Sequence, residues 1–226
     1  LMTDLDLGMN KWLSDNFEYP SKPISRGKVL SAEDLSQNGA FARYKDVDGD
    51  GIPYRTVPGT DHPGAAFFTR GTGHTETAAY SEKADEWQRN IDRLARKFDT
   101  ARETVPRPIV EDGSGAEIGI VAYGSTDAAV AETRHILEHE HGVKTAYLRL
   151  RALPAGKTVQ EFCGSYKKIL IVEQNRDAQF KSLMMIELGI NPKKLVSVLN
   201  YDGTPITARF IAGAIRKNMV WKKEFA

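Results

Sequence analysis

Asp46, Asp48 and Asp50, with Gly51 behind them, are the residues of this sequence best suited to chemistry. Alternating carboxylates can converge on a hard cation while a glycine lets the chain turn sharply, as in the first half of a calcium-binding loop. The second half departs from that pattern. Val57 stands where a bidentate acid would close the shell, and Pro53 and Pro58 oppose a following helix. Two readings follow: the three aspartates and the Ile52 carbonyl hold Ca²⁺ or Mg²⁺, completed by Asp61 or water, or the carboxylates cap their own Asp/Gly turn.

Two further groups present donors. In FFTRGTGH (67–74) a pair of aromatics can anchor a glycine-flexed loop that offers Arg70, Thr72 and His74 to a carboxylate or phosphate. Asn175, Arg176 and Asp177 follow an apolar run, where they can face a ligand or cap the next helix and pair across an interface. Gly124, Ser125 and Thr126 suit either an anion or a helix cap, and the cap is favoured because GxGxxG and a phosphate-loop lysine are both missing. His135 and His139 have the spacing of metal ligands but not the HExxH order, and imidazoles late in a helix also suit its negative end. Cys163 is the only cysteine, so the chain cannot build an internal disulfide or a thiolate-held iron–sulfur cluster by itself. A small apolar role is expected for it.

The elements that position these residues fall into two textures. Residues 1–112 are irregular, with recurrent Pro and Gly, except for a helix over 81–104. Ser81 is its expected N-cap, Glu82, Asp85 and Glu86 load its first turns, and Trp87, Ile91, Leu94 and Phe98 form an apolar stripe that must bury against something. Arg89, Arg93, Arg96 and Lys97 read as a solvated face because acids are interleaved with them. Residues 105–115 read as a linker. The second domain, 113–226, alternates strands (117–123, 145–153, 168–173, 195–199) with helices. That order implies an α/β fold: a parallel sheet with helices on both faces and right-handed crossovers, whose sites lie beyond the carboxyl ends of the strands, at 124–126, 173–177 and 202–204.

The 226 residues carry a formal net charge of +1 with acids and bases mixed, which disfavours nucleic acid and anionic membranes as partners. No apolar run approaches the roughly 18 residues of a membrane span, and the first residues lack the features of a secretion signal. A cytoplasmic protein is the expectation.

Taken in order, DLDLGMN (4–10), RGKVL (26–30), RYKDVDGDGIPYRTVPGT (43–60), FFTRGTGH, RLARKFDTA (93–101), AYGST (122–126), LRLRALP (148–154), VEQNRDAQF (172–180) and DGTPITARFI (202–211) resemble the alpha subunit of 2-oxoacid:ferredoxin oxidoreductases. The DGDGIPYRT loop is similar to the 2-oxoglutarate type. The resemblance implies thiamine-diphosphate chemistry: decarboxylation of a 2-oxoacid, transfer of the acyl unit to coenzyme A, and two electrons passed to ferredoxin. It places thiamine diphosphate, Mg²⁺ and an iron–sulfur cluster on a beta subunit, with a second alpha chain as a further partner. The family's YPITP-type and RGGPST-type segments do not occur here, so no residue for the substrate carboxylate or the pyrimidine is carried over. Residues 1–112 then correspond to the end of a pyrimidine-binding domain plus a long insertion and helix, and 113–226 to a transketolase C-terminal-like domain. Such a C-terminal portion is expected to be inactive alone and to act as scaffold and subunit interface. A stand-alone subunit-pairing module without catalysis, or the end of another thiamine-dependent 2-oxoacid enzyme, are the alternatives.

Overall fold

The computed structural model describes residues 5–38 and 41–220. The chain separates into two compact units, Asp15–Thr104 and a second made of Val105–Ala226 with the described part of Leu1–Ser14. The boundary therefore falls before the expected linker rather than within it.

The smaller unit is mostly irregular. After a short helix α1 (Leu5–Met9), which belongs to the larger unit, come α2 (Ala32–Asn38) and the long α3 (Ala84–Thr104). Helix α2 was not expected from the sequence, yet its start is a local capping box. The Ser31 amide donates to Asp34 Oδ2 at 2.8 Å and the Asp34 amide donates to Ser31 Oγ at 3.1 Å. Helix α3 begins three residues later than expected, with Ser81 Oγ accepting from the Lys83 amide instead of capping the helix proper.

The packing of α3 reverses the usual arrangement. Its apolar stripe is open to solvent, with Trp87, Ile91, Leu94 and Phe98 between 36% and 58% exposed. Its polar face carries the intrachain contacts: Arg93 is 7% exposed, and its Nη1 donates to the Gly51 carbonyl at 3.1 Å. Thr100 Oγ1 donates to the Asp50 carbonyl at 2.6 Å. The expectation that Arg93 is solvated is thus corrected, because the 46–52 turn lies directly on it. Gly51 permits this seating twice over. Its φ is +77°, and a Cβ there would stand 2.3 Å from the Lys97 amide nitrogen and 2.6 Å from the Arg93 carbonyl oxygen.

The larger unit holds β1 (Ile109–Glu111), β2 (Ile118–Tyr123), α4 (Thr126–His141), β3 (Thr145–Leu150), α5 (Lys157–Ser165), β4 (Lys168–Glu173), α6 (Gln179–Leu188), β5 (Leu195–Leu199) and α7 (Ala208–Val220). The sheet order is β1-β3-β2-β4-β5. Strands β2 to β5 are parallel, as the alternation required, and β1 adds an antiparallel edge with Val110 opposite Leu148. Part of the expected linker is therefore a strand, its signal hidden by Pro106 and Pro108, residues that a sheet tolerates only at an edge. Side chains alternate across the sheet. Val121, Leu148, Ile169 and Ile171 pack with Phe162 of α5 and Met184 of α6 on one face. Ile120, Tyr147, Leu170 and Val172 pack with Leu137 of α4 and Ile211 and Ile215 of α7 on the other. Gly142, in the left-handed conformation, closes α4 by donating to the Glu138 and Leu137 carbonyls.

Two substitutions test these contacts. Leu148→Ala, at a fully buried position, is expected to lower stability to denaturant by about 2–5 kcal/mol in the larger unit. Gly51→Ala is expected to cost at least ~1–3 kcal/mol of backbone strain and to speed amide exchange along 46–52 and α3, leaving the sheet amides as they were.

Candidate functional site

The Asp46–Asp50 turn holds a cation, but the cation is Lys28. Its Nζ lies 2.6 Å from Asp48 and 2.7 Å from Asp50, and donates to the Ile52 carbonyl at 3.0 Å. These are three of the oxygen ligands expected for Ca²⁺ or Mg²⁺. Asp46 faces elsewhere, accepting from the Gly51 amide and from Arg96, both at 3.1 Å. Asp61 is exposed, and no group of three metal-binding side chains forms among the described residues. The expected Ca²⁺ or Mg²⁺ site at Asp46, Asp48 and Asp50 is corrected accordingly: its donors are occupied by an ammonium and do not fit a divalent ion.

Of the loop candidates, only His74 reaches a shared site. Its ring stacks on Tyr44 at 3.7 Å between centroids, and Asn90 Nδ2 donates to the His74 carbonyl at 2.7 Å. Arg70 and Thr72 are exposed and make no side-chain hydrogen bond among the described residues. Beside this stack lies a cleft of about 380 Å³, to which α3 contributes Arg89, Asn90, Arg93 and Arg96 while the preceding loop contributes Tyr44 and Asp46. Arg89 is paired with Glu86, and Arg96 with Asp46. Arg93 has no ion-pair partner among the described residues, and its buried Nε has no hydrogen-bond acceptor. Burial, and then the neighbouring Arg43, pull the affinity of the Arg93 guanidinium for its proton downward. The sequence pointed to these arginines only as a polar stripe, because the loop that covers them is about fifty residues away.

At the carboxyl edge of the sheet, the topological switch point lies between β2 and β4. It is spanned by Gln174, whose Nε2 donates to Ser125 Oγ at 3.3 Å and Thr126 Oγ1 at 3.2 Å. The fully buried Glu173 accepts from the Phe180 amide (2.8 Å), the Lys181 amide (3.1 Å) and Asn175 Nδ2 (2.8 Å), so a carboxylate from β4 fills the N-terminus of α6. Asn175 Oδ1 accepts from the Asp177 and Gln179 amides, while Arg176 and Asp177 pair with each other in solvent. Asn175 thus takes the capping role. Glu173, which organises this edge, falls within the 173–177 stretch at the carboxyl end of a strand, but its filling of the α6 N-terminus has no local signal. Elsewhere, His135 and His139 lie 4.2 Å apart between ring centroids without a third metal-binding neighbour among the described residues. Cys163 packs in the core with its thiol pushed up to about 11 by burial, unsuited to ligating a cluster.

Glu173→Ala would leave the buried Phe180 amide and the part-buried Lys181 amide without acceptors, and is expected to cost ~2–4 kcal/mol in chemical denaturation and to fray α6. The Lys28 clip gives a pH window. For Asp50 the hydrogen bond from Lys28, then that from the Ile52 amide, lower its pKa, so its stabilising contribution is complete above the unfolded value near ~4 and is lost as pH falls through the lower folded value. For Lys28, burial opposes the charge but Asp48 and Asp50 outweigh it and raise its pKa, so its contribution is present below the ordinary value of 10.5 and is lost as pH rises through the higher folded value. Protection of the Ile52 amide, the slowing of its exchange relative to an unfolded peptide at the same pH, should therefore be high between those limits and fall outside them, and Lys28→Met should lower it throughout.

No family model matches the chain. A curated relative, subunit alpha of 2-oxoacid:ferredoxin oxidoreductase 2 from Aeropyrum pernix, is 28% identical over 204 residues, covering 88% of this chain. The chain spans about 30% of that relative's length. A solved 2-oxoglutarate:ferredoxin oxidoreductase from Magnetococcus marinus, with 2-oxoglutarate, coenzyme A and succinyl-CoA bound, shares the fold with a TM-score of 0.67 and 24% identity, over 79% of this chain and 31% of that one. A split-gene transketolase, an inactive beta4 tetramer, matches 49% of this chain and 40% of its own at a TM-score of 0.41 and 22% identity. Across most of its length, the chain is thus similar to the alpha subunit of a 2-oxoacid:ferredoxin oxidoreductase.

Proposed function

We propose that the chain is the scaffold and subunit-interface part of an alpha subunit of 2-oxoglutarate:ferredoxin oxidoreductase, an assembly that converts 2-oxoglutarate and coenzyme A to succinyl-CoA while reducing ferredoxin. The observation that carries this reading is the match to the Aeropyrum alpha subunit over 88% of the chain. The open apolar stripe of α3 supports the interface role, since four large side chains at one helical face gain free energy by being covered. No helix among the described residues is long and apolar enough to cross a membrane. The assembly is proposed to work in the cytoplasm.

Thiamine diphosphate would supply the carbanion chemistry that removes carbon dioxide from the oxoacid. Among the described residues no acid-rich metal group forms and Cys163 is buried, so these residues do not fit its Mg²⁺ or an iron–sulfur cluster. Those groups are assigned to the beta subunit, and no chemical step is assigned to this chain.

Pull-down of the tagged chain from its source extract should recover a beta subunit together with coenzyme-A-dependent 2-oxoglutarate oxidation measured with a low-potential acceptor. Trp87→Glu with Phe98→Glu should abolish that recovery, a loss of about 2 kcal/mol or more per hot-spot residue, while leaving the circular dichroism of the free chain unchanged. Recovery of an inactive chain alone would overturn the reading and favour an independent pairing module.

A further inference from the structure

The cleft on the polar face of α3 contains a guanidinium whose hydrogen-bonding capacity the chain itself does not fill. Of the five N–H donors of a guanidinium, Arg93 spends Nη1 on the Gly51 carbonyl, and its Nε is buried with no acceptor. More than nine-tenths of the residue is out of water, and no carboxylate is close enough to form an ion pair with it among the described residues. Asp46 is a nearby acid that favours the Arg93 charge, but its oxygens are taken by Arg96 and the Gly51 amide, and a buried donor left without an acceptor is costly. A second cation lies nearby. Arg43 sits 5.3 Å from the Tyr44 ring centroid and Arg93 lies 5.9 Å from the same ring.

We propose that this cleft binds a small molecule through an oxyanion, a carboxylate or phosphate group received by the Arg93 guanidinium, with Arg89 and Arg96 at the rim. The size and charge of the cleft define the ligand class. A volume of about 380 Å³ is at the small end of known ligand sites. Asp46 and Glu76 also line it, and Arg89 and Arg96 are already paired with Glu86 and Asp46, so the excess positive charge is small. That balance suits a mono- or dianion better than a polyphosphate. Asn90, whose Nδ2 is held by His74, keeps its side-chain carbonyl available to a donor on the ligand. Arg93 is preferred over lysine because a planar fork can hold Gly51 with one nitrogen and an oxyanion with the others. The assignment is independent of the oxidoreductase reading, since it concerns only contacts within Asp15–Thr104.

The test uses the full chain with isotope-labelled arginine, following the Arg93 Nε–H resonance during titration with inorganic phosphate, with succinate, and with chloride at matched ionic strength and pH. A saturable shift with phosphate or succinate that chloride does not reproduce is expected, and whichever anion gives it identifies the headgroup. Arg93→Lys should weaken that binding at least ~tenfold. The exposed-rim variant Arg89→Gln, which leaves the Gly51 contact in place, should weaken it by a smaller factor without changing the circular dichroism. No saturable shift with either anion, or a shift that chloride matches, would overturn the proposal, and the wild-type titration decides this even if Arg93→Lys fails to fold.

Discussion

A backbone turn resting on a charged helix face is the contact on which the smaller unit depends. Most helices of globular proteins bury an apolar stripe and leave their charges to water. Here Gly51 brings the 46–52 turn so close to α3 that the helix backbone itself is the floor, and Arg93 is trapped beneath it. Everything near the cleft follows from that approach. Asp46 turns inward to receive the Gly51 amide and Arg96, Thr100 secures the Asp50 carbonyl, and Tyr44 is drawn over Arg93 with His74 stacked on it. Because the polar face does the internal packing, the apolar face is left for another surface.

The larger unit rests on a more familiar balance. Its parallel strands put apolar side chains on both faces, so helices must cover both, and the two clusters on either side of the sheet are complete within the chain. The carboxyl edge, where α/β folds usually receive ligands, is occupied by the chain's own groups. Gln174 bridges the switch point, and Glu173 occupies the helix end that would otherwise attract an anion. The edge is thereby held by its own side chains.

How much of this was legible depended on whether a signal was local. Strands 168–173 and 195–199, and the glycine stop at Gly142, match the structure to the residue because apolar runs and a left-handed cap are written in neighbouring positions. The edge strand at Ile109 was hidden by flanking prolines, and α2 by its short length of seven residues. The candidate site was the least legible. Arg93 owes its burial to Gly51, and the aspartates owe their counter-ion to Lys28, partners that lie 42 and about 20 positions away. The triplet reads as a divalent-ion site, and nothing local to it shows that Asp48 and Asp50 are taken by Lys28 and Asp46 by Arg96. Asn175, by contrast, carried its capping role openly, since an asparagine just before a helix has amides within reach of its side chain.

Lys28 gives the aspartate turn a property that a metal-filled loop lacks. A divalent ion is exchanged with solution, so a loop folded around it reports the ion's concentration and falls apart when a chelator removes it. An ammonium tethered to the same chain is always present at high effective concentration. The turn that seats on α3 is therefore indifferent to swings in cellular calcium or magnesium. It has exchanged the capacity to sense for a fixed shape.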